Sequence, residues 1–157
     1  MLRKRDFRLN EMTAAMEKMK PNDLLIRAAM IGSIPECVAA KEAGADAWDQ
    51  MLESAAEGGN RAICELAKEW GATGWNMMLG GAAYGGYRDL CVLAKEWGAT
   101  NGEYMLTDAA RGGHRAICEL AKEWGATGWN MMLLYAKRGG HLDICELAKE
   151  WGATDHF

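Results

Sequence analysis

The chain has 157 residues, half of them hydrophobic and a quarter charged, with only two prolines; this composition belongs to a folded globular protein and excludes a disordered or fibrous one. A formal charge of −4 disfavours a nucleic-acid partner, whose phosphates are held by clustered Lys and Arg. A chain of this size buries roughly 70% of its unfolded surface, so neither disulfides nor metal are needed for folding.

The opening segment MLRKRDFRLNEM has no apolar run of the kind a secretory signal carries, and Asp6 and Glu11 argue against an organelle presequence. No stretch approaches the ~20 apolar residues of a membrane span. We therefore expect a cytoplasmic protein without a membrane partner. Five cysteines, an odd count that cannot pair completely within one chain, agree with a reducing compartment. Residues 1–20 form a leader in which Leu9, Met12, Met16 and Met19 share one helical stripe, predicting an N-terminal capping helix. Arg3, Lys4, Arg5 and Arg8 are expected to be solvated, with a targeting signal as the alternative.

The leader is followed by an internal repeat. Cys37, Cys64, Cys91, Cys118 and Cys145 recur every 27 residues, and so do Gly44, Gly71, Gly98, Gly125 and Gly152. The period divides the chain into units 21–47, 48–74, 75–101, 102–128 and 129–155. The segment RAICELAKEWGATGWNMML stands unchanged at 61–79 and 115–133.

Each unit predicts a helix, a Gly-Gly turn, a second helix and a Gly-Ala turn. In the first unit, Ser33-Ile34-Pro35-Glu36 is a capping box with an early proline, placing the start of the second helix. In the later units Asp46 with Asp49, Thr73 with Asn76, Thr100 with Glu103 and Thr127 with Asn130 set a capping residue three positions before a polar one, so local caps are expected there. Gly58-Gly59, Gly85-Gly86, Gly112-Gly113 and Gly139-Gly140 are expected to end the first helices by adopting left-handed geometry. In the last unit Met132, Leu133 and Ala136 form the buried face of the first helix, and Ile144, Leu147, Ala148 and Trp151 that of the second. No segment alternates like a strand. The expected fold is all-α, a solenoid of five helix hairpins whose core is shared between neighbours.

The segment GGHLDICELAKEWGAT at 139–154 resembles the second half of an ankyrin repeat, with its Gly-His turn, outer helix and closing Gly-Ala. The resemblance extends over residues 21–155. The units depart from that family in their shorter period and in lacking both the β-turn finger and the Thr-Pro-Leu-His start. Tetratricopeptide repeats fit less well in period and helix signature. The resemblance implies that first helices line the concave side of the stack, where ankyrin proteins bind other proteins, and that His114 and His141 are structural turn histidines.

Comparing units separates positions held by the stack from positions free to differ. Met51-Leu52-Ala55 recurs as Met78-Leu79-Ala82, Met105-Leu106-Ala109 and Met132-Leu133-Ala136, which are core. The differing positions are Gln50, Glu53, Ser54 and Glu57; Met77, Gly80, Gly81 and Tyr84; Tyr104, Thr107, Asp108 and Arg111; and Met131, Leu134, Tyr135 and Arg138. Their spacing places them on one helical face. Tyr, Met and Arg are enriched at interface centres, so this face is the candidate partner-binding surface, and a solvent face free to drift is the alternative. Its acidic start at Glu53 and Glu57 and its basic end at Arg111 and Arg138 would orient an asymmetric partner.

The seven tryptophans fall in two regular classes, Trp48, Trp75 and Trp129, and Trp70, Trp97, Trp124 and Trp151. Packing over the turns is expected rather than base stacking, since no basic residue adjoins any of them in the chain. His114 with Cys118 and His141 with Cys145 give only two ligands per helix, too few for zinc, and the thiols are expected to be small buried apolar groups. The carboxylates of the CELAKEW segments are expected in helix-surface pairs with the neighbouring lysines. No nucleophile elbow, phosphate loop or dinucleotide fingerprint is present, so no enzyme activity, cofactor or metal is expected. The functional expectation is a non-catalytic scaffold for a protein partner. The alternative is a structural or self-assembling array, natural or engineered, without a groove ligand. Lys137 replaces an alanine of the earlier units and suits a terminal face without a further neighbour; a C-terminal side that is still apolar would instead pair two copies as a homodimer.

Overall fold

The structure, a computed structural model, describes residues 18–154. The predicted capping helix and the basic cluster Arg3, Lys4, Arg5 and Arg8 fall almost wholly outside those residues. Ten helices and no strand occur among the described residues: α1 Pro21–Ile31, α2 Ile34–Glu42, α3 Trp48–Glu57, α4 Arg61–Trp70, α5 Trp75–Gly85, α6 Arg88–Trp97, α7 Gly102–Gly112, α8 Arg115–Glu123, α9 Trp129–Gly139 and α10 Leu142–Trp151. The protein is all-α. Each odd-numbered helix packs on the helix that follows it, and α1, α3, α5, α7 and α9 also pack on one another in that order.

The core follows the recurring positions. Met51, Met78, Met105 and Met132 are fully buried, as are Leu52, Leu106 and Leu133, and all five cysteines lie inside. Each Leu or Met contributes about 1.5–3 kcal/mol by leaving water. Ala56, Ala83 and Ala110 are buried, whereas Lys137, at the same place in the final unit, is exposed.

The local caps expected at Asp46, Thr73, Thr100 and Thr127 do not form. The helices start after Ala47, Gly74, Asn101 and Gly128, and of these only Asn101 caps with its side chain, accepting from the Tyr104 N–H at 3.1 Å. The polar residue three positions on reaches forward to the loop that closes its own unit instead. Asn22 Oδ1 accepts from the N–H groups of Asp46 and Ala47 at 2.8 and 3.0 Å, and Asp49 Oδ1 from those of Thr73 and Gly74 at 2.9 Å each. Asn76 Oδ1 accepts from Thr100 and Asn101 at 2.8 and 3.0 Å, the Glu103 carboxylate from Thr127 and Gly128 at 2.9 and 3.0 Å, and Asn130 from Thr154 at 2.7 Å. One side-chain acceptor per unit thus satisfies loop N–H groups that no helix would satisfy. Of the Ser33 box, the forward bond forms, with Ser33 Oγ accepting from the Glu36 N–H at 3.4 Å.

The paired glycines divide their work. In Gly85-Gly86 only Gly86 is left-handed, with φ +88°; Gly85 remains helical, and a Cβ on it would collide with the carbonyl oxygen of Glu57 in α3. Gly58, Gly112 and Gly139 abut the carbonyls of Met30, Tyr84 and Arg111 in the same way. The expected left-handed role therefore belongs to the second glycine alone, and the first is needed for close approach of neighbouring first helices. The residue after the pair reaches the same helix end: Asn60 Nδ2 donates to the carbonyls of Ala29 and Met30 at 2.8 and 3.0 Å, and His114 Nε2 bonds the Tyr84 carbonyl at 2.9 Å.

Tryptophans pair edge-on within a unit: Trp48 with Trp70, Trp75 with Trp97, and Trp129 with Trp151, at ring-centroid distances of 5.3, 5.5 and 5.1 Å. Although no basic residue adjoins them in the chain, the fold brings one to each outer ring. Lys41, Lys68, Lys95 and Lys122 sit 5.1, 4.4, 4.2 and 4.6 Å from the ring centres of Trp70, Trp97, Trp124 and Trp151, each in the following unit. These lysines are not the partners of the helix-surface carboxylates as expected; Glu65 and Glu119 pair with Arg61 and Arg115 at 3.3 and 3.1 Å.

Candidate binding groove

The helices α3, α5, α7 and α9 expose a groove of about 420 Å³ along their shared outer face. Of the residues expected there, it gathers Glu53, Glu57, Met77, Tyr84, Tyr104, Thr107, Asp108, Arg111 and Tyr135, with Gly80 and Gly81. Gln50, Met131, Leu134 and Arg138 lie outside its walls. Tyr104 and Met131 are the most open of the apolar side chains on this face, at 62% and 45% exposure.

Ser54 departs from the expectation for this face: its spacing sets it with the differing positions, yet it is buried. Its counterpart Gly81 is buried too, and a Cβ there would stand 2.5 Å from the Glu53 carbonyl oxygen. At this point α3 and α5 approach so closely that Gly81 has no room for a side chain, and its small size reflects packing. Gly80 leaves room for another reason: a Cβ would meet Asp108 Oδ2 at 2.7 Å, so the missing side chain makes space for that carboxylate.

The electrostatics are uneven. Burial is the main cause that raises the Glu53 carboxyl above its usual range, with Glu57 and Asp108 adding to it. Asp108 is also raised by burial, opposed by the Arg111 guanidinium and reinforced by Glu57. Arg111 is held from two sides, 3.3 Å from Asp108 Oδ1 and 4.4 Å from the centre of the Tyr84 ring. Arg138 stacks on Tyr135 at 5.3 Å. The basic end is thus folded onto its own tyrosines, and Glu53 and Glu57 remain as carboxylates without a cationic partner among the described residues. Asn76 also lines the groove, although its spacing from Thr73 points to a local cap.

Among the described residues no three His, Cys, Asp or Glu side chains are grouped to hold a metal ion. The five cysteines are free and buried. Burial pushes the Cys37 thiol up to about 11 and those of Cys64, Cys91 and Cys118 up to about 12. No described helix is long and apolar enough to cross a membrane. No protein-family model matches the chain, and no curated protein is detectably similar to it.

Proposed function

We propose that the protein is a non-catalytic interaction scaffold, an ankyrin-like solenoid of five fingerless hairpins that holds a protein segment along its first-helix face. The observation that carries this reading is the groove: residues differing between otherwise near-identical units converge on one cavity of about 420 Å³, walled by tyrosine, methionine and acid. Drift on an idle solvent face would not concentrate Tyr84, Tyr104, Tyr135 and Met77 at one place. The successive packing of α1, α3, α5, α7 and α9 supports the solenoid, and the buried free thiols suit a reducing compartment such as the cytoplasm.

The segment bound is a basic one. Glu53 and Glu57 are partly desolvated and lack a cation, and a Lys or Arg entering between them and the tyrosines would gain both charge pairing and a cation–π contact. Selection from a random peptide library should yield Lys- or Arg-containing sequences, and the variant with Tyr84, Tyr104 and Tyr135 changed to Ala should lose them while its circular dichroism is unchanged. Undiminished capture by that variant rejects the groove. The rival reading, end-to-end assembly through the terminal face, predicts a mass in light scattering that grows with concentration.

A further inference from the structure

A second cavity lies beside Trp124, and the chain itself shows what fits it. In three units the first residue of the first helix is a tryptophan set edge-on against the tryptophan ending the second, 5.1–5.5 Å away. In the unit at 102–128 that residue is Gly102, and Trp124 has no such partner among the described residues. A pocket of about 330 Å³ opens there, lined by Gly102, Trp124, Gly125, Ala126, Asn76 and Glu103 among others. It falls within the roughly 300–1,000 Å³ range of small-molecule sites.

Two details tie this pocket to its filled counterparts. A Cβ on Gly71, Gly98 or Gly152 would meet Cδ1 of Trp48, Trp75 or Trp129 at 3.6, 2.9 and 3.5 Å, whereas nothing lies within 4 Å around Gly125. Lys68 and Lys122 each face both rings of a pair, at 4.4 and 5.9 Å and at 4.6 and 6.0 Å, Lys41 faces Trp70 of its pair at 5.1 Å, and Lys95 lies 4.2 Å over Trp124. The pocket therefore offers the ring that an indole covers elsewhere in the same chain, with the Lys95 ammonium over that same ring. The Glu103 carboxylate on its wall accepts a backbone N–H at each oxygen and keeps further lone pairs for an indole N–H.

We propose that this pocket binds an indole ring, packed edge-on to Trp124 under the Lys95 ammonium. The test is a titration of the ¹⁵N-labelled full chain followed by NMR, with the Trp124 side-chain N–H assigned by its loss in Trp124→Phe. Indole and N-acetyl-tryptophanamide serve as separate probes, which distinguish a free small molecule from a tryptophan presented by a peptide. Saturable shifts confined to Trp124, Gly125 and their neighbours with either probe support the proposal. Gly102→Trp, whose Cβ meets only Ala126 at an ordinary 3.9 Å, should abolish them by filling the pocket. Lys95→Ala, which leaves the pocket open, should weaken binding by about two- to fivefold through loss of the cation–π contact. Absence of saturable shifts with both probes overturns the proposal, as do undiminished shifts in a folded Gly102→Trp. If Gly102→Trp does not fold, Lys95→Ala decides, and unchanged affinity there overturns it.

Discussion

Replacing Gly85 by Ala separates two explanations of the paired glycines by the sign of its effect. Gly85 is the last residue of α5 and has no positive φ, so if it served only to end the helix, alanine would stabilise by about 0.5–1 kcal/mol through propensity. The structure demands the opposite. The new Cβ would press on the Glu57 carbonyl oxygen and lie 2.9 Å from the Tyr87 ring. Tyr87 is exposed and can swing away, but the carbonyl belongs to the end of α3 and cannot move alone. A relaxed C···O contact needs roughly 3.3 Å, so α3 and α5 must separate by on the order of 1 Å. Overpacking of that kind costs about 1–3 kcal/mol, and because the opposing atom is backbone the cost falls in the upper part of that range, leaving a net loss of about 1–2.5 kcal/mol after the propensity gain. Urea unfolding followed by circular dichroism should show a lower midpoint for Gly85→Ala. Gly86→Ala, at φ +88°, should also lose about 1–2 kcal/mol, by backbone strain. A midpoint for Gly85→Ala equal to or above that of the parent protein refutes the close-approach account.

Asn76→Ala removes the acceptor for two loop N–H groups and should cost about 1–2 kcal/mol, with faster hydrogen exchange at Thr100 and Asn101, while Asn76→Asp should retain most of the stability because Asp49 does the same work one unit earlier. With thiols pushed up to about 11 at Cys37 and about 12 at Cys64, Cys91 and Cys118, the native protein should react with a disulfide reagent at pH 8 only as fast as it opens, and rapid labelling of these four before unfolding would contradict their burial. Glu53 and Asp108 have raised folded-state pKa values, so between the ordinary carboxylate range and those raised values the folded state holds protons that the unfolded chain has released. Stability should therefore rise as pH falls from neutrality through that window and level off below the ordinary range, and Glu53→Gln should be more stable than the parent at pH 7 with a flatter pH profile.

The helices and the core were legible because their signals are local. The 27-residue period, the glycine punctuation and the Met-Leu-Ala pattern state where each helix lies and which face it buries. The contacts that local patterns do not reveal join residues 24 to 31 positions apart, across one unit or between two: Asn76 to Thr100, Asn60 to Ala29, Lys68 to Trp97. Capping rules look three residues ahead and pair Asn76 with Thr73, whereas its partners are Thr100 and Asn101. The signal was present in the column Asn22, Asp49, Asn76, Glu103, Asn130, every member of which carries a side-chain acceptor at the same distance from the next loop.

The same contacts explain why the groove lies where it does. Hydrogen bonds close the loop at the end of each unit, and carbonyls against Gly58, Gly85, Gly112 and Gly139 and lysines over tryptophans hold each unit to the next, so residues in those columns cannot change freely. The first-helix face carries little of this burden except at Ser54 and Gly81, where helix approach keeps the side chains small. Small residues there and at Gly80 form the floor, and the larger Asp108 and Tyr135 at matching places in later units rise as its far wall. The cavity thus follows from the recurring position itself: the step from Gly81 to Asp108 and Tyr135 leaves a depression on the first-helix face, with Glu53 and Glu57 at its acidic end.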